Sequence, residues 1–183
     1  MFLPKGYEVP KQDSLFMKFQ QGANKFRSLT DVTLGYEYWN TDGKPVRMKE
    51  MPESKPEDLR INDDGTLSAI KHFWAFLVLD REDNEIKLLM VNQTGIMGQI
   101  NDLLTNPDWG DPKDYDLTVT RKGEKLETKY SVQPSPKKKI TKDELKLVED
   151  TDVDIEKLVF GTEKMIKDEQ IIEDRVEIED VSF

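Results

Sequence analysis

The chain has 183 residues, of which 36% are hydrophobic and 35% charged, so it can form one ordinary domain with an appendage. Without cysteine and with one histidine, His72, it cannot form disulfides, thiolate zinc sites, cysteine nucleophiles or most imidazole-based sites. No apolar run approaches the roughly 20 residues of a membrane helix and no signal region opens the sequence, so we expect a soluble intracellular protein.

The net charge of −10 is unevenly distributed. Residues 1–139 hold 21 Lys and Arg against 22 Asp and Glu, whereas residues 140–183 hold 6 against 15. This asymmetry predicts a near-neutral body over 1–139 and an acidic interaction tail over 140–183. A near-neutral body can still carry a basic groove, because phosphate binding depends on local clustering of cations.

Short runs of β character dominate the body. Alternating patterns predict early strands at 15–19, 25–29, 32–39 and 44–49. The last two flank Asp42-Gly43, a strong hairpin signal. Residues 50–68 contain prolines and many charges, which predicts a long loop with little structure of its own.

The second half of the body repeats this pattern with one helix inserted. Strands are expected at 72–80, 86–92, 115–122 and 127–133. Ile96, Ile100 and Leu103 recur at helical spacing, which predicts a helix over 94–106 capped by Thr94.

Several strands, a short helix and two more strands form the element order of an OB-type Greek-key β-barrel. An unrelated small barrel or sandwich is the alternative. In the tail, the capping box of Thr141 and Glu144 predicts a helix over 142–149, followed by another over 153–160. We expect the remaining acidic residues to be mobile.

Sequence motifs for catalysis are absent. Phosphate-loop, dinucleotide-binding, hydrolase and zincin patterns do not occur. The acids at 150–156 resemble a calcium loop, but Ile155 stands where that loop needs glycine. Asp108, Asp111, Asp114 and Asp116 are better explained as turn-formers than as metal ligands. We therefore expect no enzyme, cofactor or metal.

Aromatic and basic residues are interleaved along the predicted strands. This combination suits single-stranded DNA, whose bases stack on rings and whose phosphates attract cations. No basic helix is present to enter a duplex groove. The candidate DNA-binding residues are Lys25, Arg27, Tyr36, Tyr38, Trp39, Lys44, Arg47, Lys49, Lys71, Trp74, Arg121 and Lys129.

Each of these aromatic residues has a competing interpretation as core. Tyr36 and Tyr38 share one face of a strand and Trp39 lies on the other, so at least one set is buried. Phe73 and the alternate residues after it are expected in the core, whereas Trp74 lies nearest the basic residues. For the lysines and arginines the alternative is a solvated surface.

The last residues, IEDVSF, form a second signal. The acids Glu179 and Asp180 before an apolar Phe183 suit a basic pocket on a partner protein. The same segment could occupy the basic groove of its own chain until DNA displaces it. The alternative is an arbitrary solubilising tail.

Four blocks resemble the single-stranded DNA-binding proteins of tailed bacteriophages. They are FMKFQQGANKFR (16–27), GYEYWNTDGKPVR (35–47), FWAFLV (73–78) and DWGDPKDYDLTVTRKGEKLETKYSV (108–132). The resemblance implies an OB fold, a role in viral DNA replication or recombination in the host cytoplasm, and recruitment of replication proteins such as polymerase, helicase or primase by the acidic tail. Some proteins of this class hold a structural zinc, which the absence of cysteine excludes here.

Two other classes of function stay open from the sequence. The barrel could bind only proteins, as an adaptor in a viral replication or transcription complex. The clustered carboxylates could instead serve a metal-dependent nuclease.

Overall fold

A computed structural model describes residues 15–161. This part of the chain is mostly β, with few helices. Its strands are β1 (Phe16–Met17), β2 (Gly22–Ser28), β3 (Thr33–Trp39), β4 (Pro45–Met48), β5 (Lys71–Asp80), β6 (Glu85–Val91), β7 (Asp116–Lys122) and β8 (Lys129–Pro134). The helices are α1 (Thr94–Thr105), α2 (Lys142–Asp150) and α3 (Ile155–Phe160), with 3₁₀ turns at Pro112–Asp114 and Lys125–Glu127. None of these helices is long and apolar enough to span a bilayer.

The predicted hairpin between β3 and β4 is present. Gly43 has a φ of +73°, a conformation that favours glycine. The Asn40 side chain fixes the turn, because its Oδ1 accepts hydrogen bonds from the backbone N–H of Asp42 at 3.1 Å and of Lys44 at 2.9 Å. The loop that follows is more ordered than predicted, since Leu59 is buried and pairs with Asn40.

The strands form one mixed sheet. Its order is β1-β6-β5-β2-β7-β8, and β3 branches from β5 and carries β4. All pairs are antiparallel except β1 with β6, which is parallel. Within residues 15–161 no strand pairing joins β8 to β1 or β6, so the pairings do not close a barrel.

Helix α1 covers the outer edge of β8. The Gln99 side chain accepts a hydrogen bond from the Val132 N–H at 2.9 Å and donates one to the Tyr130 carbonyl at 3.2 Å. Two backbone groups that a further strand would satisfy are thus bound by one amide. The cap prediction for this helix was wrong, because the N-cap is Gln93 rather than Thr94 and makes no side-chain cap bond.

Strand β5 is buried on both faces, which gives the protein two apolar clusters. Phe76 and Val78 face the first cluster, between the sheet and α1. Phe73, Ala75 and Leu77 face the second. Val159 of α3 completes this second cluster and is fully buried.

The two predicted C-terminal helices are present, and both contact the body. The capping box of Thr141 and Glu144 forms at the start of α2, and Glu144 also pairs with Arg81 at the end of β5. The proposed boundary at 139 therefore separates residues that pack together, although it remains a prediction as a division of function. Residues 162–183 lie outside the described part of the chain.

A nearly buried carboxylate joins three segments of the body. Asp116 accepts from Arg27 Nε at 2.7 Å and from Arg81 Nε at 3.0 Å, and Lys25 Nζ lies 3.8 Å away. Burial alone would raise the pKa of Asp116, but hydrogen bonds and charge from Arg81 and Arg27 hold that pKa below its usual value. The carboxylate thus stays ionised and neutralises the buried Arg27.

We predict that Asp116→Asn lowers the free energy of unfolding by about 3–5 kcal/mol, because Arg27 would keep its charge in the core without a full partner. Urea unfolding at pH 7 measures this. The pKa of Asp116 is depressed in the folded state. Its contribution to the free energy of unfolding is therefore complete above the unfolded pKa of about 3.9 and disappears as the pH falls through the folded pKa. The exposed pair of Asp31 with Lys113 supplies the control, because Asp31→Asn should leave the midpoint of urea unfolding unchanged.

Candidate nucleic-acid interface

Strands β3 and β5 present two different surfaces. Glu37 lies opposite Lys71 and Gly35 opposite Phe73, so these residues and Trp39 share one face of the sheet. We call this face, against which α3 packs, the outer face. The inner face, on the side of α1, carries Leu34 opposite Trp74 and Tyr36 opposite His72. The predicted aromatic residues are therefore divided between two surfaces.

The outer face contains a groove of about 330 Å³, which we call the hairpin groove. Trp39 is half-buried at its wall, and Phe73 and Met90 contribute apolar floor. Its lining residues are Phe16, Met17, Lys18, Glu37, Trp39, Arg47, Phe73, Met90, Asn92 and Gln93.

The floor of the hairpin groove depends on a glycine. The Phe73 ring lies directly over Gly35, and a Cβ at residue 35 would overlap the ring carbon Cζ and stand 2.8 Å from Cε1. No larger residue fits without moving the ring. On its other side Phe73 contacts the ring of Phe160, with centroids 6.1 Å apart.

Lys18 and Arg47 line the hairpin groove, and further cations lie on the adjoining hairpin and on β5. Arg47 Nε bonds Glu37 at 2.8 Å, and both side chains are mostly buried. Lys49 pairs with Glu156 at 2.7 Å and lies 5.7 Å from the centre of the Phe160 ring. Lys71, opposite Glu37, and Lys44, in the hairpin turn, are exposed.

Two of the predicted residues, Trp39 and Arg47, line the hairpin groove. Eight of them lie on or directly beside the β3–β4 hairpin and β5: Tyr36, Tyr38, Trp39, Lys44, Arg47, Lys49, Lys71 and Trp74. The sequence prediction missed Lys18, which lines the same groove. The sequence pattern could have indicated Lys18, because it stands between Met17 and Phe19 in the same mixture of aromatic and basic residues.

The inner face holds a second, more apolar groove of about 430 Å³, which we call the Trp74 groove. Trp74 lies there with the exposed side chains of Val32, Leu34 and Leu104. Asp31 and Asp111 stand at its rim, both paired with Lys113. Carboxylates at this rim disfavour a phosphate backbone.

The two tyrosines of the inner face differ in exposure. Tyr36 is half-buried and contacts the His72 ring, with centroids 5.1 Å apart. Tyr38 is 6% exposed, and its hydroxyl donates to Asp58 Oδ1 at 2.8 Å. Burial, followed by the hydrogen bond and charge of Asp58, raises the pKa of Tyr38 to about 12. Its ring is core, which corrects the stacking prediction for Tyr38.

The remaining predicted cations lie away from both grooves. Arg27 is 1% exposed and bound to Asp116, which corrects its assignment to phosphate contact, and Lys25 lies beside it. Arg121 Nη1 donates to the Phe19 carbonyl at 3.0 Å, and Lys129 is exposed at the start of β8. The predicted partner-binding residues Glu179, Asp180 and Phe183 lie outside the described residues.

Two of the aspartates singled out in the sequence bind backbone N–H groups, whereas Asp116, interpreted there as a turn-former, begins β7 and binds Arg27 and Arg81. Asp111 accepts from the Lys113 N–H at 2.8 Å and Asp154 from the Lys157 N–H at 3.1 Å, where each begins a helical turn. Within residues 15–161 no three His, Cys, Asp or Glu side chains are grouped so as to hold a metal ion.

The fold and the hairpin groove define a mostly β protein that presents rings and cations on one surface. The chain is distantly homologous to the "Probable ssDNA-binding protein" of Escherichia phage T5, with 28% identity over 140 residues. The match covers 64% of this chain and 54% of the phage T5 protein, so the chain spans about half the length of that relative. No protein-family model matches the chain. No solved structure matches it.

We predict that Gly35→Ala costs about 1–3 kcal/mol, because the added methyl forces the Phe73 ring out of the groove floor. Urea unfolding measures the loss. Gly98→Ala in α1 is the matched control, since a Cβ there meets nothing within 4 Å. This control should stabilise the protein by about 0.5–1 kcal/mol. Equal stability of the Gly35→Ala variant and the parent chain would contradict the packing described here.

Proposed function

We propose that this chain is a sequence-independent single-stranded DNA-binding protein of viral DNA replication or recombination. It would protect single strands in the host cytoplasm without catalysing a reaction. The observation that carries the proposal is the distant homology to the probable ssDNA-binding protein of phage T5. The rings and cations of the hairpin groove support it independently.

An OB-type barrel is the architecture we propose for the body. Strands β2, β5 and β6 precede α1, and β7 and β8 follow it. Their spatial order, β6-β5-β2-β7-β8, suits a five-stranded, partly open Greek-key barrel. In such a barrel Gln99 would cover the gap beside β8.

The hairpin groove is the surface on which we place the strand. A base would stack on Trp39, and the exposed ammonium groups of Lys18, Lys44 and Lys71 would contact phosphates. Base stacking on an aromatic ring contributes about 1–3 kcal/mol for any of the bases. This chemistry accounts for binding without sequence preference.

We predict that Trp39→Leu weakens binding to oligo-dT by about 5- to 150-fold, the loss of one stacking contact. Trp74→Leu is the matched control, because Trp74 lies on the opposite face of the sheet. The affinity of this variant for oligo-dT should stay unchanged. Fluorescence anisotropy of a labelled oligonucleotide at several salt concentrations measures both. Unchanged urea midpoints exclude a folding defect.

The outcomes separate the two surfaces. A loss confined to Trp74→Leu would place the strand in the Trp74 groove instead. No binding by the parent chain at low salt would contradict the proposed function. An affinity for oligo-dT that is independent of salt concentration would contradict phosphate contact, since the release of cations from DNA makes such binding salt-dependent.

The second candidate function is that of a protein-binding adaptor. The Trp74 groove favours it, because this groove is apolar and has carboxylates at its rim. Such an adaptor would leave oligo-dT unbound, and substitutions in the hairpin groove would be without effect on partner binding.

For the acidic tail we propose two roles, recruitment of replication proteins and competition with DNA for the groove. Residues 170–183 carry five acids and one arginine. Removing them should tighten binding to oligo-dT, most strongly at low salt, and should weaken recruitment of partners. Titration of both chains with the same oligonucleotide measures the first effect. Equal affinities would contradict self-competition and leave DNA binding by the body intact.

A further inference from the structure

A run of three lysines follows the last strand of the sheet. Lys137, Lys138 and Lys139 are all exposed. Their backbone is held in place, because the Lys138 carbonyl accepts from Arg27 Nη1 at 2.8 Å and the Lys138 N–H donates to the Asp114 carbonyl at 3.1 Å. The run is therefore a fixed feature of the surface rather than a free linker.

These lysines line a groove of about 600 Å³, which we call the lysine groove. Its lining residues are Arg27, Lys113, Asp114, Lys137, Lys138, Lys139, Ile140 and Leu145. Only one of these side chains, Asp114, is acidic. Within residues 15–161 none of the three consecutive lysines forms an ion pair, whereas Arg27 is neutralised by Asp116.

The lysine groove and the hairpin groove lie towards opposite ends of β5, and the lysine groove shares Lys113 with the Trp74 groove. Phe73 of β5 lines the hairpin groove, and Leu79 of the same strand pairs in register with Arg27 beneath the lysines. Six residues of extended strand separate these positions, which is about 20 Å. Helix α3 packs on the residues between them, so the two grooves form separate contacts.

We propose that Lys137, Lys138 and Lys139 form a second phosphate-binding site for the single strand held at the hairpin groove. This inference rests on the proposed function. The lysine groove has no aromatic lining, so it supplies charge without stacking and contacts only the sugar-phosphate backbone. A strand must extend over about 20 Å to reach both sites.

The test replaces all three lysines, Lys137→Gln, Lys138→Gln and Lys139→Gln, in the full chain. For single strands each phosphate contact contributes about 0.7 to the slope of log affinity against log salt, so the slope should fall by about 2. The probe is a labelled 30-nucleotide oligo-dT. Lys142→Gln with Lys146→Gln is the control, because these exposed lysines of α2 do not line the groove and should leave the slope unchanged.

Each outcome bears on a different claim. If the parent chain binds and the triple variant keeps the full slope, the second site is overturned and the proposed function stands. If the parent chain does not bind oligo-dT, both fall. Tighter binding by the triple variant would show that an acidic segment of this chain occupies the lysines, which also overturns the proposal. Equal slope losses in variant and control would show a general charge effect and overturn the site.

Discussion

Strand β5 is apolar on both faces, and a strand of this kind must be covered on both sides to remain out of water. The inner face is covered by α1 and by residues of β2 and β7, and the outer face by α3. Cover ends at the first residues of β5, where Lys71 is exposed and His72 is half-buried. The hairpin groove and the Trp74 groove form there because the sheet continues beyond the layers that bury it.

The buried ion cluster links the core to the surface charge. Asp116 neutralises Arg27, and Arg27 in turn holds the backbone of the lysine run. One carboxylate therefore allows an arginine to serve as a core side chain and as the support of a cationic surface. Its depressed pKa keeps this arrangement charged at neutral pH.

Element positions could be predicted from the sequence because local rules determine them. Alternation placed the strands, Asp42-Gly43 placed a hairpin, and Thr141 with Glu144 placed α2. Burial could not be predicted in the same way. Periodicity puts Tyr36 and Tyr38 on one face, but only the contact with Asp58 shows that Tyr38 is core. In the sequence, Arg27 beside Phe26 has the pattern of a surface cation. Only the fold brings Asp116, which is distant in sequence, next to it.

Charge distinguishes two grooves that are similar in size. Each contains a half-buried tryptophan, so stacking alone does not select between them. The hairpin groove is lined by Lys18 and Arg47, Lys71 lies opposite its lining residue Glu37, and Glu37, its one lining acid, is bonded to Arg47. The Trp74 groove has two rim carboxylates that share a single lysine. Because a phosphate backbone would be attracted to the first arrangement and repelled by the second, electrostatics favours the hairpin groove over the Trp74 groove.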